Sequence, residues 1–192
     1  MSSYAYNRWM GERAQRLDEI ETSHAAVGGT ARGRRFTTLQ INQSYAVMLT
    51  SQFQGFCRDM HDECVVHFVA ALSPSTLQTT IKKLLEQGRK LDMGNPNPGN
   101  LGSDFARFGI DFWPEVHARD KRGRIWQSRL EMLTDWKNAV AHQDFDPRRL
   151  HGIDTLTLEH VKQWRRACGA LARVFDAVMR DYLSKVSGAN PW

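Results

Sequence analysis

The sequence is short of cysteine, of long apolar runs and of two-residue alternation, and each shortage removes a class of protein. Three cysteines in 192 residues, an odd and small number, do not make a disulfide framework. No stretch approaches the roughly 18 uninterrupted apolar residues that cross a bilayer. Met1 to Met10 is polar and aromatic, with no apolar signal core, so a cytoplasmic protein is expected. Nothing alternates apolar and polar over a useful length, which argues against a sheet. The Gly pair in VGGTARGRR (27–35) lacks the Gly-Lys-Ser/Thr ending of a phosphate-cradling loop. No cysteine sits in a papain-like context. No internal repeat and no domain-scale linker is visible. Disorder is excluded by 41% hydrophobic and 24% charged residues.

What is present is helical spacing almost throughout. Arg8 to Ala26 is mostly charged, with Trp9, Leu17 and Ile20 as its apolar points, and reads as a weakly anchored helix. From Ile41 to Leu72 a stripe runs through Tyr45, Leu49, Phe53, Phe56, Met60, Cys64, Phe68 and Leu72 at three- and four-residue steps. Ser73-Pro74 ends it, and Ser75 is placed to cap a following helix with Leu77, Ile81, Leu84 and Leu85 inward. DMGNPNPGNLGS (92–103) reads as a turn-rich connector. A short helix is expected after Ser103 with Phe105 and Phe108 inward, and RDKRGR (119–124) as a basic loop. Ile125 to His142 forms a helix with Trp126, Leu130, Leu133, Trp136 and Val140 inward. QDFDPRRLHGI (143–153) is a loop. Thr157 caps the last long helix, whose stripe runs from Leu158 to Val186. The expected architecture is one all-α bundle of four long helices plus short ones, with residues 1–35 as a helical and basic extension and 36–192 as the main domain.

Net charge is +5, and the excess is uneven. Residues 1–35 carry six basic and four acidic groups, 36–114 six and seven, and 115–192 fourteen and ten. A basic excess at the ends points weakly toward phosphate backbones. Arg32-Gly33-Arg34-Arg35 and the 119–124 loop, with Arg122 and Arg124, read equally well as RNA guides or as solvated loops. Cys57, His61, Cys64 and His67 are spaced along one stripe, but four ligands on a single helix cannot close a tetrahedron, and a core stripe is the favoured reading. Asp144 and Asp146 read as turn formers beside Pro147. Trp126, Trp136 and Trp164 read as packing anchors.

The segment with chemistry is Asp135-Trp136-Lys137-Asn138-Ala139-Val140-Ala141-His142. Lys137 and His142 are five residues apart, so their side chains diverge by roughly 140° on a helix. They serve one site more easily if His142 stands at the helix end or if a second subunit contributes. An imidazole can take a proton from a ribose 2′-hydroxyl, a cation can stabilise charge on phosphorus, and Asn138 can bind a phosphate oxygen or orient the histidine. A histidine at a helix end also serves as a plain C-terminal cap.

Lys137-Asn138-Ala139-Val140-Ala141-His142 resembles the signature of HEPN domains, usually an Arg, a polar residue, three or so further residues and then Ala-His. Gly94-Asn95-Pro96-Asn97-Pro98-Gly99-Asn100, Asp104-Phe105, Arg107-Phe108-Gly109 and Phe53-Gln54-Gly55-Phe56 resemble the RiboL-PSP-HEPN branch of that family. The resemblance covers roughly residues 36–186. It implies a helical bundle, commonly a homodimer whose motifs meet in one composite site. It also implies a metal-independent endoribonuclease without a cofactor, of the kind found in toxin–antitoxin and other defence systems, with RNA and an antitoxin or other protein as partners and no membrane. Other members are inactive modules that bind RNA, a nucleotide or a protein. By position, His142 is the catalytic histidine, Lys137 stands at the arginine position and Asn138 follows it. Lys137 departs from the pattern, because a lysine offers a point charge where an arginine offers a fork. Arg129, two turns upstream, or Arg148 and Arg149 in the following loop are candidates to supply the guanidinium.

Overall fold

A computed structural model describes residues 1–27 and 35–192; the basic loop expected over 27–35, including Arg32, Gly33 and Arg34, lies outside the described residues apart from its ends, Val27 and Arg35, which are helical. The described residues form helices and connecting turns, with no strand among them. No helix among them is long and apolar enough to cross a membrane.

The chain opens with α1 (Tyr4–Arg8), a π-helical turn (Trp9–Arg13) and α2 (Ala14–Val27). This segment is anchored far more firmly than its sparse apolar residues suggest. Ser3 accepts a hydrogen bond from the Tyr6 N–H and donates its own backbone N–H to Asp176 at 2.8 Å. The free N–H groups of Tyr4 and Ala5 donate to the Glu63 carboxylate at 2.9 and 3.0 Å, which satisfies donors that a helix start leaves unpaired. Trp9 packs on Phe53 and Phe56, and Arg13 donates to Gln52 and Asp59. Ala5, Trp9 and Leu17 are buried and join the core.

The bundle centre is α3 (Arg35–Ala70), roughly 54 Å of continuous helix. Its stripe from Tyr45 to Cys64 is buried as its spacing predicts, and Phe68 is half-buried. α4 (Ser75–Glu86) begins after Pro74, but the expected cap at Ser75 does not form: Pro74 is the N-cap and makes no side-chain cap bond. Leu77 and Leu84 are exposed, and Leu85 is the buried residue of this helix. A short α5 (Lys90–Met93) follows.

The turn-rich reading of 92–103 also changes. α6 (Pro98–Phe105) starts inside it, with Asn97 as its cap, accepting from the Asn100 N–H at 2.7 Å, and Pro98 in its first turn. Ser103 therefore lies within the helix rather than before it. A 3₁₀ turn (Ala106–Phe108) leads through Gly109, at φ 85°, to α7 (Phe112–Arg119). Phe105 stacks on Phe112 at 4.4 Å and Phe112 meets Phe175 at 4.7 Å, joining these short elements to the core.

α8 (Gly123–His142) and α9 (Leu158–Ser187) complete the bundle and pack against α3 and each other. Trp126, Leu130, Leu133, Trp136 and Ala139 form the buried face of α8, with Ala139 where Val140 was expected. Trp126, Trp136 and Trp164 are all buried packing residues. Thr157 caps α9 as expected, in a reciprocal pair with His160. Val186, at the end of the expected stripe, is exposed.

Candidate active site

The orientation of α8 decides which residues reach the surface together. With the tryptophan face inward, Asp135, the adjacent pair Asn138 and Ala139, and His142 recur three and four residues apart along the helix flank. They line one side of an open cleft of about 730 Å³. The other side is the returning loop, which contributes Asp144, Arg148, Arg149, Leu150 and His151. This loop is held in place: Leu150 and Leu156 are buried, Phe145 packs toward Trp136, and Asn42 donates to the Leu156 carbonyl at 3.0 Å.

His142 is the last residue of α8, and Gln143 terminates the helix in the left-handed region at φ 55°. The imidazole is exposed and makes no hydrogen bond among the described residues. Among the described residues Arg148 and Arg149 pair only with nearby carboxylates, Asp146 and Asp144, each at 3.1 Å and with both arginines largely in solvent. Hydrogen bonds from the Arg148 guanidinium and backbone N–H hold Asp146 below the usual carboxylate range. Asp144 and Asp146 thus act as arginine partners in a turn.

Lys137 lies off the cleft, as the 140° divergence requires. Its ammonium donates to Asn95 Oδ1 at 2.7 Å, and Asn95 Nδ2 donates to Asn138 Oδ1 at 2.7 Å. Asn95 therefore clamps both residues at once. Its own segment is pinned in turn. Gln54 donates to the carbonyls of Leu91 and Gly94 at 2.6 and 2.7 Å. Asp104, fully buried, accepts from the N–H groups of Lys90 and Leu91 at 3.0 and 2.8 Å. Asn100 donates to the Asn95 carbonyl, and Gly94 leaves room for it: a Cβ there would lie 2.9 Å from Asn100 Nδ2. Gln54, Gly94 to Asn100, Asp104 and the Lys137-Asn138 pair, far apart in sequence, form one connected network.

The other expected site residues stand elsewhere. Arg129 does not line the cleft. Arg124 lies near the opposite end of α8, about 27 Å from His142 along the helix axis. Arg122 pairs with Asp120 and lies over the Trp126 ring. An RNA strand touching all of them and His142 would have to run the length of α8. The Cys57, His61, Cys64 and His67 stripe is not gathered around one point. Both cysteines are buried, His61 faces Arg89 and the Asp104 carbonyl, and His67 meets Trp192. No group of three or more metal-ligating side chains occurs among the described residues.

Three site residues escaped the sequence reading as actors: Asp135, His151 and Asn95. His151 Nε2 lies 2.9 Å from Asp135 Oδ2. The only sequence signal for Asp135 is its seven-residue step to His142, which puts both on one helix flank. His151 is brought in by the loop's return, which has no periodicity to read.

Comparison of the chain with protein-family models, with curated proteins and with solved structures finds no match.

Proposed function

We infer that this chain is a HEPN-type endoribonuclease that cleaves RNA without a metal ion. The observation that carries this reading is the cleft at the end of α8, where an unpartnered His142 faces Arg148 and Arg149 beside Asn138. The chemistry follows from these groups. His142 takes the proton from a ribose 2′-hydroxyl, and the oxygen attacks the adjacent phosphorus. Arg148 and Arg149 stabilise the charge on the phosphoryl oxygens. Both guanidinium groups and Asp144 are exposed while Asp146 is half-buried, and ion pairs at such a surface hold weakly enough to be exchanged for a phosphate. Lys137 acts from behind, by fixing Asn95 and through it Asn138. The network that joins the Asn-Pro segment to the Lys137-Asn138 pair supports the resemblance, because the residues that carry it meet in space. A homodimer, and a role as a toxin or defence nuclease restrained by an antitoxin, belong to the same reading.

A second reading, a non-catalytic HEPN module that binds RNA or a protein, is favoured by one observation. The ammonium at the family's arginine position is engaged by Asn95 rather than presented to the cleft. Purified protein and His142→Ala, incubated with a mixed RNA pool in EDTA, separate the two. The nuclease reading expects cleavage by wild type and a loss of about 100-fold or more in the variant. Salt-sensitive RNA binding with no cleavage by either protein selects the binding module.

A further inference from the structure

The cleft holds a second histidine, and its surroundings differ from those of His142. His151 stands in the left-handed region at φ 54°, between buried Leu150 and Gly152 at φ 74°. Few non-glycine residues adopt that conformation. Its ring reaches across the cleft to α8, where Nε2 meets Asp135 Oδ2 at 2.9 Å. An ionised carboxylate only accepts, so Nε2 carries the hydrogen and donates. That leaves Nδ1 as the nitrogen with a free role, and it has no partner among the described residues. A carboxylate behind the ring fixes which nitrogen faces the cleft and accommodates the imidazolium as well as the neutral ring. His142, by contrast, has no such orienting group among the described residues.

We propose that His151, oriented by Asp135, is the proton donor to the leaving 5′-oxygen, so that one protomer carries both proton-transfer groups. This rests on the nuclease reading above. The step balances. His142 removes the 2′-hydroxyl proton while the bond from O2′ to phosphorus forms and the bond from phosphorus to O5′ breaks. His151 enters the step as the imidazolium, with Nε2–H on Asp135, and its second proton, on Nδ1, passes to O5′. The products are a 2′,3′-cyclic phosphate and a free 5′-hydroxyl, with His142 protonated and His151 neutral. Proton return between the two rings through solvent resets the site, and neither metal nor redox partner enters. Asp135 is a positioning residue, since it touches His151 and not the reacting atoms.

The test exploits the leaving group. Cleavage sites are first mapped in a mixed RNA pool in EDTA. An oligonucleotide containing one mapped site is then made with the bridging 5′-oxygen, and again with sulfur in its place. A thiolate departs without a proton, so the sulfur substrate does not need the donor. His151→Ala lowers cleavage of the oxygen substrate by about 100-fold or more and of the sulfur substrate by less than about 10-fold, whereas His142→Ala lowers both alike. His151→Gln keeps a donor for Asp135 but no titratable ring, and behaves as His151→Ala does while its melting temperature stays that of wild type. Asp135→Asn gives a smaller loss that the sulfur also relieves. Equal losses on the two substrates, or unchanged cleavage of the oxygen substrate, overturn the assignment of His151 while leaving the nuclease reading in place. Wild-type protein inert on the RNA pool removes both.

Discussion

His61 and His142 stand at opposite extremes of the same bundle. His61 is fully buried on α3, packed against Phe105 and Phe108 at 5.5 and 4.9 Å. Its Nδ1 faces Arg89 Nη1 at 3.2 Å, and an arginine only donates, so Nδ1 accepts and Nε2 donates to the Asp104 carbonyl. Arg89 pairs in turn with Asp62 and Asp92. Each of these polar groups has found a partner inside the protein. His142 and the two arginines of the cleft have weak exposed partners or none. The residue types are the same in both places. Burial demands complete pairing and fixes the first cluster as architecture. Solvent lets the second remain incomplete, which is what a site for an incoming anion requires.

The sharpest way to test that contrast is to break the buried cluster. Asp104→Ala leaves the N–H groups of Lys90 and Leu91 without their carboxylate and Arg107 without a nearby charge. The expected loss is about 3–5 kcal/mol in urea denaturation, a fall of roughly 10 °C in melting temperature for a chain of this size. A loss under about 1 kcal/mol would show that the network is not what holds the α5 segment in place.

A pH titration of stability probes the same cluster more gently. Burial, and then the Arg89 charge, push His61 down to about 4 from its usual 6.5. The folded histidine stays neutral while the unfolded one takes up a proton, so the unfolded chain binds more protons between these values. Stability therefore falls as pH drops from about 6.5 toward 4, by on the order of 3 kcal/mol from this group. His61→Gln removes that part of the slope when urea midpoints at pH 7 and pH 4.5 are compared. An unchanged slope would mean that other groups govern acid stability.

Most of the first cluster's scaffold is legible in the sequence, and most of the cleft is not. The stripe from Tyr45 to Cys64 is read from spacing, because a buried helix face repeats. The α8 face is read the same way, and its spacing alone puts His142 at a helix end. Asn97-Pro98 also carries a helix-start signal, a capping side chain followed by proline, but it lies inside a segment so rich in turn residues that the signal is masked. The N-terminal segment looks weakly held in sequence because its anchors are polar and distant: Glu63, Asp176 and Asp59 are more than 45 residues away along the chain. The Asn95 clamp and the Asp135–His151 pair are likewise meetings between a helix and a loop. Periodicity records which way a helix faces, not what a loop brings back to it.

Asn95 ties the two regions together, and its loss should fall between them in size. Asn95→Ala removes the partners of Lys137 and Asn138 on α8 and leaves both side chains half-buried. A loss of about 1–2 kcal/mol is expected in urea; on the proposed function RNA cleavage falls as well, since Asn138 is no longer held at the cleft edge. Lost stability with full cleavage would confine the clamp to an architectural role and separate it from the cleft.

The smallest stability effect belongs to the cleft arginines, and there the comparison is cleanest. Arg148→Ala combined with Arg149→Ala removes ion pairs that two exposed arginines make with Asp146 and Asp144. Stability should change by no more than about 0.5 kcal/mol. On the proposed function, RNA affinity is the sensitive quantity. If each guanidinium meets a phosphate, binding weakens, and the slope of log affinity against log salt falls by about 0.7 for each single-strand phosphate no longer neutralised. A changed slope in a protein of unchanged stability is the signature of groups kept for a ligand rather than for the fold. An unchanged slope would return both arginines to the solvated surface and leave His142 without its phosphate partners.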